Sequence, residues 1–244
     1  MRVEYIDIEN VKCKLFIPSG EISDILIALH GFAGDKESSV IKAVAESLGE
    51  TTLVFAFDLP CHGKDEEQGK LRLDKCIKYL DIILDYVKKS YKSIPISFFA
   101  TSFGAFVLLN YLKNHDEQFK HIILRAPAIF MDEVLTNSIL KDHKISLDIF
   151  LKQGAILGFD KEILVNKDFL QDLRKNSLSQ HKFLEHIDII QGDKDDTVDI
   201  KKNEVFFNSK FPSFSLHYIK DADHRFKNPT DLIQIITIIK NILG

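Results

Sequence analysis

Cysteine is scarce in this chain: Cys13, Cys61 and Cys76 are the whole supply, an odd number with no metal-ligand spacing. That argues against a disulfide framework or a thiolate metal site and fits a reducing cytoplasm. Long apolar runs are missing too. The most apolar late stretch, Leu232 to Leu243, is too short to span a bilayer and contains Lys240, so it reads as a buried amphipathic helix. The opening residues Met1 to Asp7 alternate like a strand and lack the apolar core of a signal peptide. Neither sign of charge dominates: 32 Lys and Arg stand against 36 Asp and Glu, a formal net charge of -4, and the two signs are interspersed. Such a chain has no electrostatic reason to bind nucleic acid or an anionic membrane. No Pro/Gly/Ser linker and no internal repeat divides it. The expectation is a soluble cytoplasmic protein with neither nucleic acid nor membrane as partner.

What is present is alternation. At 244 residues, 45% of them hydrophobic, the chain suits a large α/β domain with a substantial core. Val3 to Ile8 and Val11 to Ile17 flank Glu9-Asn10 and read as a β-hairpin. Short apolar strands follow at Asp24–Leu29, Thr52–Phe57, Ile96–Ala100, His121–Arg125, His186–Gln191 and Phe214–Ile219. Helical spacing appears between them at Ser38–Leu48, Asp74–Tyr91 and Phe103–Leu112, and a last helix begins at Pro229-Thr230-Asp231. This order predicts a mostly parallel sheet wrapped by helices and entered through an antiparallel hairpin. From Ala126 to Glu185 the alternation breaks down into helical pieces (Met131–Leu140, Lys167–Lys175) and a hairpin across Ala155 to Val165. That stretch is read as an insertion folded over the sheet.

In such sheets function collects at the carboxyl ends of strands. Five loops there carry reactive side chains: His30-Gly31-Phe32-Ala33-Gly34, Asp58-Leu59-Pro60-Cys61-His62-Gly63, Ala100-Thr101-Ser102-Phe103-Gly104, Gly192-Asp193-Lys194-Asp195-Asp196-Thr197-Val198, and Asp221-Ala222-Asp223-His224-Arg225-Phe226. A serine between small residues, at a strand-to-helix turn, has its hydroxyl forced out of the backbone. A hydroxyl is a weak nucleophile near neutral pH, so it needs a base in reach and an acid behind that base. Ser102, Asp195 and His224 supply these roles in that chain order. Backbone amides of Phe103 and Phe32 are placed to hold an oxyanion. Asp193, Asp196 and Asp199 crowd the acid's loop, and Asp193 is the alternative to Asp195.

These five motifs, HGFAG, DLPCHG, ATSFG, GDKDDTV and DADHRF, resemble the α/β-hydrolase family in order and interval from about residue 20 onward. The chain looks most like small bacterial serine esterases of the cinnamoyl/feruloyl-esterase and monoacylglycerol-lipase-like kind. The resemblance implies a cap formed by residues 126–185 within one α/β-hydrolase domain over 1–244. It selects Asp195 through the pattern G-x-x-D-x-x-V and gives His30 and His62 bracing roles. It also implies hydrolysis of a small-molecule carboxylic ester, small to medium acyl or hydroxycinnamoyl in type, with no metal or organic cofactor. A peptidase or thioesterase on the same fold, or a ligand-binding protein without turnover, are the alternatives. Three departures stand out. Ala100 replaces the first glycine of the elbow, Cys61 replaces the glycine of D-x-x-G-H-G, and tryptophan is absent. Cys61 reads as a small residue filling a tight turn, against a reactive thiol. Phe130, Phe150, Phe159 and Phe169 of the insertion read as either pocket lining or the insertion's own core. His115, His121, His143, His181, His186 and His217 read as surface or packing residues.

Overall fold

The computed structural model describes residues 1–65, 69–158 and 162–244. Strands β1 (Arg2–Ile8) and β2 (Val11–Ile17) form the antiparallel hairpin. Its two-residue turn places Glu9 and Asn10 at φ 48° and 73°, the left-handed pair that suits the twist of a tight hairpin. Then come β3 (Asp24–Leu29), α1 (Ser39–Ser47), β4 (Thr52–Phe57), α2 (Leu73–Ser90), β5 (Ile96–Thr101), α3 (Phe103–Leu112) and β6 (Ile122–Arg125). The sheet order is β1-β2-β4-β3-β5-β6, continued by β9 (His186–Gly192) and β10 (Ser213–Ile219), with every pair from β4 to β10 parallel. This is the mostly parallel sheet, entered through an antiparallel hairpin, that the order of elements predicts, and the α/β-hydrolase architecture that the resemblance implies.

Alternation along each strand divides the core. Leu26, Ala28, Val54 and Phe99 face one side, where α1 and α9 (Pro229–Leu243) cover them through Ile41, Val44, Ile235 and Ile239. Ile25, Ile27, Phe55 and Phe98 face the other, under α2, α3 and α8 (Ile200–Lys210). Helix α2 buries Cys76, Leu80, Ile83 and Val87 at helical spacing, while α3 is buried on every side. Strand β3 lies between β4 and β5, so the chain leaves β3 toward one edge and returns to its other side. The crevice at the carboxyl ends of β3 and β5 is therefore the switch point of the sheet.

Between β6 and β9 lie α4 (Met131–Val134), a π-helical turn (Leu135–Ile139), α5 (Leu140–Asp142), α6 (Leu147–Gln153), the two-stranded pair β7 (Ala155–Leu157) and β8 (Ile163–Val165), and α7 (Lys167–Lys175). The expected helix over Met131–Leu140 thus contains a widened turn, and the middle of the expected hairpin, Phe159 included, lies outside the described residues. The segment is tied to the rest at several points. Arg72 before α2 forks onto Asp172 of α7, with Nη2 donating to Oδ1 at 2.8 Å. Lys202 pairs with Glu133, and Ser138 Oγ donates to the Thr197 carbonyl at 3.2 Å, while Arg174 and Asp132, 3.6 Å apart, link α7 to α4 within the segment.

Candidate active site

Ser102 stands between β5 and α3 with φ 49° and ψ -111°, a strained conformation that turns its side chain away from both elements. The turn is tight enough that a Cβ on Gly104 would lie 2.5 Å from the His30 carbonyl oxygen and 2.9 Å from Leu29 Cβ. Only a glycine lets α3 cross the end of β3 there. Ser102 Oγ lies 3.0 Å from His224 Nε2, and His224 Nδ1 lies 2.8 Å from Asp195 Oδ2.

Each acid of the crowded loop has its own partner. Asp193 accepts from the Asp221 amide at 2.6 Å, Asp196 from the Thr197 hydroxyl, and Asp199 caps α8 by accepting from the Lys202 amide. Asp195, whose side chain is fully buried, faces His224. It also accepts from Gln191 Nε2 at 2.8 Å and from the amides of Thr197 and Val198 at 2.9 and 3.0 Å. Burial alone would raise this carboxyl, but the bond from His224 and the two amides outweigh it and hold it below the usual carboxylate range. Its loop and the histidine's loop touch: a Cβ on Gly192 would lie 2.3 Å from the Ala222 carbonyl oxygen. Asp223 serves its own turn, accepting from the Arg225 amide at 3.0 Å and pairing with Lys227 at 2.7 Å.

The loop after β3 lies against the elbow, with the position of a Gly31 Cβ 3.3 Å from Ser102 Cβ. The Phe32 N–H donates to no protein acceptor among the described residues, and Phe103 opens α3, where N–H groups lack helical partners. His30 braces this loop. Its Nε2 accepts from the Leu59 amide at 3.0 Å, which leaves Nδ1–H to donate to the Gly31 carbonyl at 2.8 Å. Burial pushes its imidazole below the ordinary value, in keeping with that neutral form. Below it, Asp58 at the end of β4 accepts from the Lys36 amide (2.9 Å), the Lys36 ammonium (2.6 Å) and the Lys64 amide (2.7 Å), a buried pair that pins the loop carrying Phe32. Rings of His30, Phe32, His62 and Phe103 pack together at centroid distances of 5.1 to 6.3 Å. Cys61 is buried at φ 63°, where glycine costs least, and accepts the strain while filling the turn.

A cavity of about 550 Å³ opens above Ser102 and His224. Phe32 and, from the segment after β6, Met131, Val134 and Ile139 supply its apolar wall. Phe150 and Phe169 are instead core residues of that segment, and Phe130 packs on Phe206. Among the lining residues that sequence reasoning missed, two carry titratable or charged groups of note, His143 and Arg125. His143, expected as surface or packing, lines the cavity while its Nδ1 lies 2.9 Å from the Ile139 carbonyl. Arg125 lines it from the end of β6, where it had looked like an ordinary strand residue; the buried charge at a strand end was the available signal. Among the described residues no group of His, Cys, Asp and Glu is arranged to hold a metal ion, and no helix is long and apolar enough to cross a membrane.

A family model described as serine aminopeptidase, S33, matches residues 20–182, about two thirds of the chain. No curated protein matches the sequence. Among solved structures, Est1E from Butyrivibrio proteoclasticus with ferulic acid bound superposes with a TM-score of 0.82 at 21% identity, covering 98% of this chain and 97% of that one. An alpha-beta serine hydrolase homologue from Coxiella burnetii gives 0.67 at 18% identity, covering 100% and 97%. A dienelactone hydrolase from Anabaena variabilis gives 0.65 at 16%, covering 98% and 95%. At these identities the likeness is one of fold. With the family model matched over most of the chain and the fold agreeing throughout, the chain belongs to the serine aminopeptidase S33 family of α/β serine hydrolases.

Proposed function

We propose that the protein hydrolyses small to medium acyl or hydroxycinnamoyl-type esters through a Ser102–His224–Asp195 triad and an acyl-enzyme intermediate. The observation that carries this reading is the unbroken hydrogen-bond line from Ser102 Oγ through both ring nitrogens of His224 to Asp195. His224 Nε2 takes the hydroxyl proton as Ser102 Oγ attacks the ester carbonyl carbon. Asp195 holds Nδ1–H and stabilises the imidazolium. The negative charge on the tetrahedral intermediate falls to the amides of Phe32 and Phe103, worth about 3 kcal/mol each if side-chain donor losses are a guide. His224 then gives its proton to the leaving alkoxide, and in the second half it activates water to release the acid. The cavity volume, within the range of small-molecule sites, and its apolar wall support a modest acyl or aryl group; the ferulic acid held by Est1E supports the hydroxycinnamoyl class.

The test is turnover of p-nitrophenyl esters of increasing chain length beside methyl hydroxycinnamates. Ser102→Ala should abolish it, and labelling by a fluorophosphonate that survived this change would move the nucleophile elsewhere. Asp195→Asn should lower kcat by about 10⁴ by favouring the wrong histidine tautomer, while Asp193→Asn stays near the parent. The reverse pattern would sink the acid assignment. The family model's description favours a second reading, an aminopeptidase. An aminoacyl anilide and an acyl-CoA assayed beside the ester separate peptidase, thioesterase and esterase, because the triad is common to all three.

A further inference from the structure

We infer that Arg125 is a positioning residue for the triad base, holding from beneath the turn that carries His224; this rests on the triad reading above. Arg125 ends β6, level with Thr101 of β5 and Ile190 of β9. Its side chain lies on the α1/α9 side of the sheet and is 6% exposed. Both contacts of its guanidinium go to the two residues after His224: Nη2 donates to the Arg225 carbonyl at 3.0 Å, and Cζ stands 4.3 Å from the centroid of the Phe226 ring. Phe226 is at φ 53°, so the chain makes a sharp left-handed step where the arginine grips it. The Arg125 carbonyl, meanwhile, accepts from the Ser102 amide at 2.9 Å. One residue thus joins the nucleophile's backbone to the base's backbone.

Packing does not explain an arginine at this place. Among the described residues no carboxylate pairs with it, and its buried Nε has no hydrogen-bond partner. Burial pushes the guanidinium down to about 10, against the opposing charges of Asp195, Asp223 and Asp231, so it is a cation at neutral pH. An apolar side chain would fill the site without an orphaned donor or a buried unpaired charge. What such a side chain lacks is a planar donor able to fix the Arg225 carbonyl and lie flat on Phe226 at once. The Ser102 Oγ to His224 Nε2 separation depends on where that turn sits.

The full-length protein is assayed with p-nitrophenyl butyrate as Arg125→Met, Arg125→Lys, Phe226→Leu and the Met/Leu double variant, with Ser102→Ala as control. Arg125→Met is expected to lower kcat by about 10- to 100-fold, as a sub-ångström to ångström misplacement of a catalytic group does, with KM within about twofold and a melting temperature no lower than the parent's. Arg125→Lys recovers part of kcat because an ammonium still donates to the Arg225 carbonyl. The losses in Arg125→Met and Phe226→Leu are less than additive in the double variant. A folded Arg125→Met with kcat within about twofold of the parent overturns the inference, as does a loss confined to KM. Should Arg125→Met fail to fold, parent-like kcat in both Arg125→Lys and Phe226→Leu overturns it. A parent protein inactive on esters, anilides and thioesters alike, or an active Ser102→Ala, sinks the triad reading and the inference together; failure of the inference alone requires an active parent and a dead Ser102→Ala.

Discussion

At the scale of residues, the site is a set of local bargains between burial and charge. Asp195 carries four hydrogen bonds, and its carboxyl is held below the usual range. A carboxylate depressed on folding contributes stability that is present above its unfolded value, about 3.9, and lost as pH falls through the folded one. The urea midpoint of the parent should therefore fall between pH 6 and pH 3 more steeply than that of Asp195→Asn; parallel slopes would contradict this origin. The sequence placed Ser102, Phe32 and His224 in their loops because strand ends are visible as the points where apolar runs stop. It did not single out Asp195 from its neighbours by position, since four carboxylates within seven residues differ only in which backbone amides they reach. Arg125 stayed hidden for a related reason. A last strand residue looks alike whether its side chain faces solvent or runs beneath a loop 100 residues later in the chain.

Elements were legible where their periodicity was strong. The buried strands stand out as short continuous apolar runs and helix α2 as 3.6 spacing, without competing signals. Helix α8 was not foreseen because IKKNEVFFNSK buries only Asn203, Phe206 and Phe207, yet Asp199 as its cap was a readable start. Helix α6 was passed over although Ser146 caps it. The crossing of α3 over β3 is a property of neither element alone, and it predicts a fragile position. Gly104→Ala inserts a methyl group 2.5 Å from a backbone oxygen, so about 2–3 kcal/mol of stability should be lost in urea unfolding. Ester turnover should fall further than stability does, because the relief moves Ser102 away from the loop of Phe32. An alanine variant as stable as the parent would mean that α3 shifts freely.

For the whole molecule, the sheet order could be argued from alternation and right-handed crossovers, but the lie of residues 126–185 could not. That segment is set by side chains from distant places: Arg72 on Asp172, Lys202 on Glu133, and Phe169 against Phe103 at 6.0 Å. With so many ties, we expect it to unfold together with the sheet. The absence of tryptophan makes this measurable, since Phe130→Trp introduces a single tryptophan, excited selectively over the tyrosines, at the start of α4. Its urea transition should coincide with that of far-UV circular dichroism. An earlier fluorescence transition would mark the segment as a separate unit.

The π-helical turn at Leu135–Ile139 gives this wall of the cavity a place where chain length can vary. Such a turn holds one residue more than an α-helical turn. Loss of that extra residue would restore ordinary winding and leave Asp142 and His143 beyond the turn facing nearly the same way. A chain that drops one residue in this turn would change the cavity wall only between Leu135 and Ile139, with Ser102, Asp195 and His224 untouched. The turn is thus where this wall tolerates a one-residue difference in length without disturbing the rest of the site.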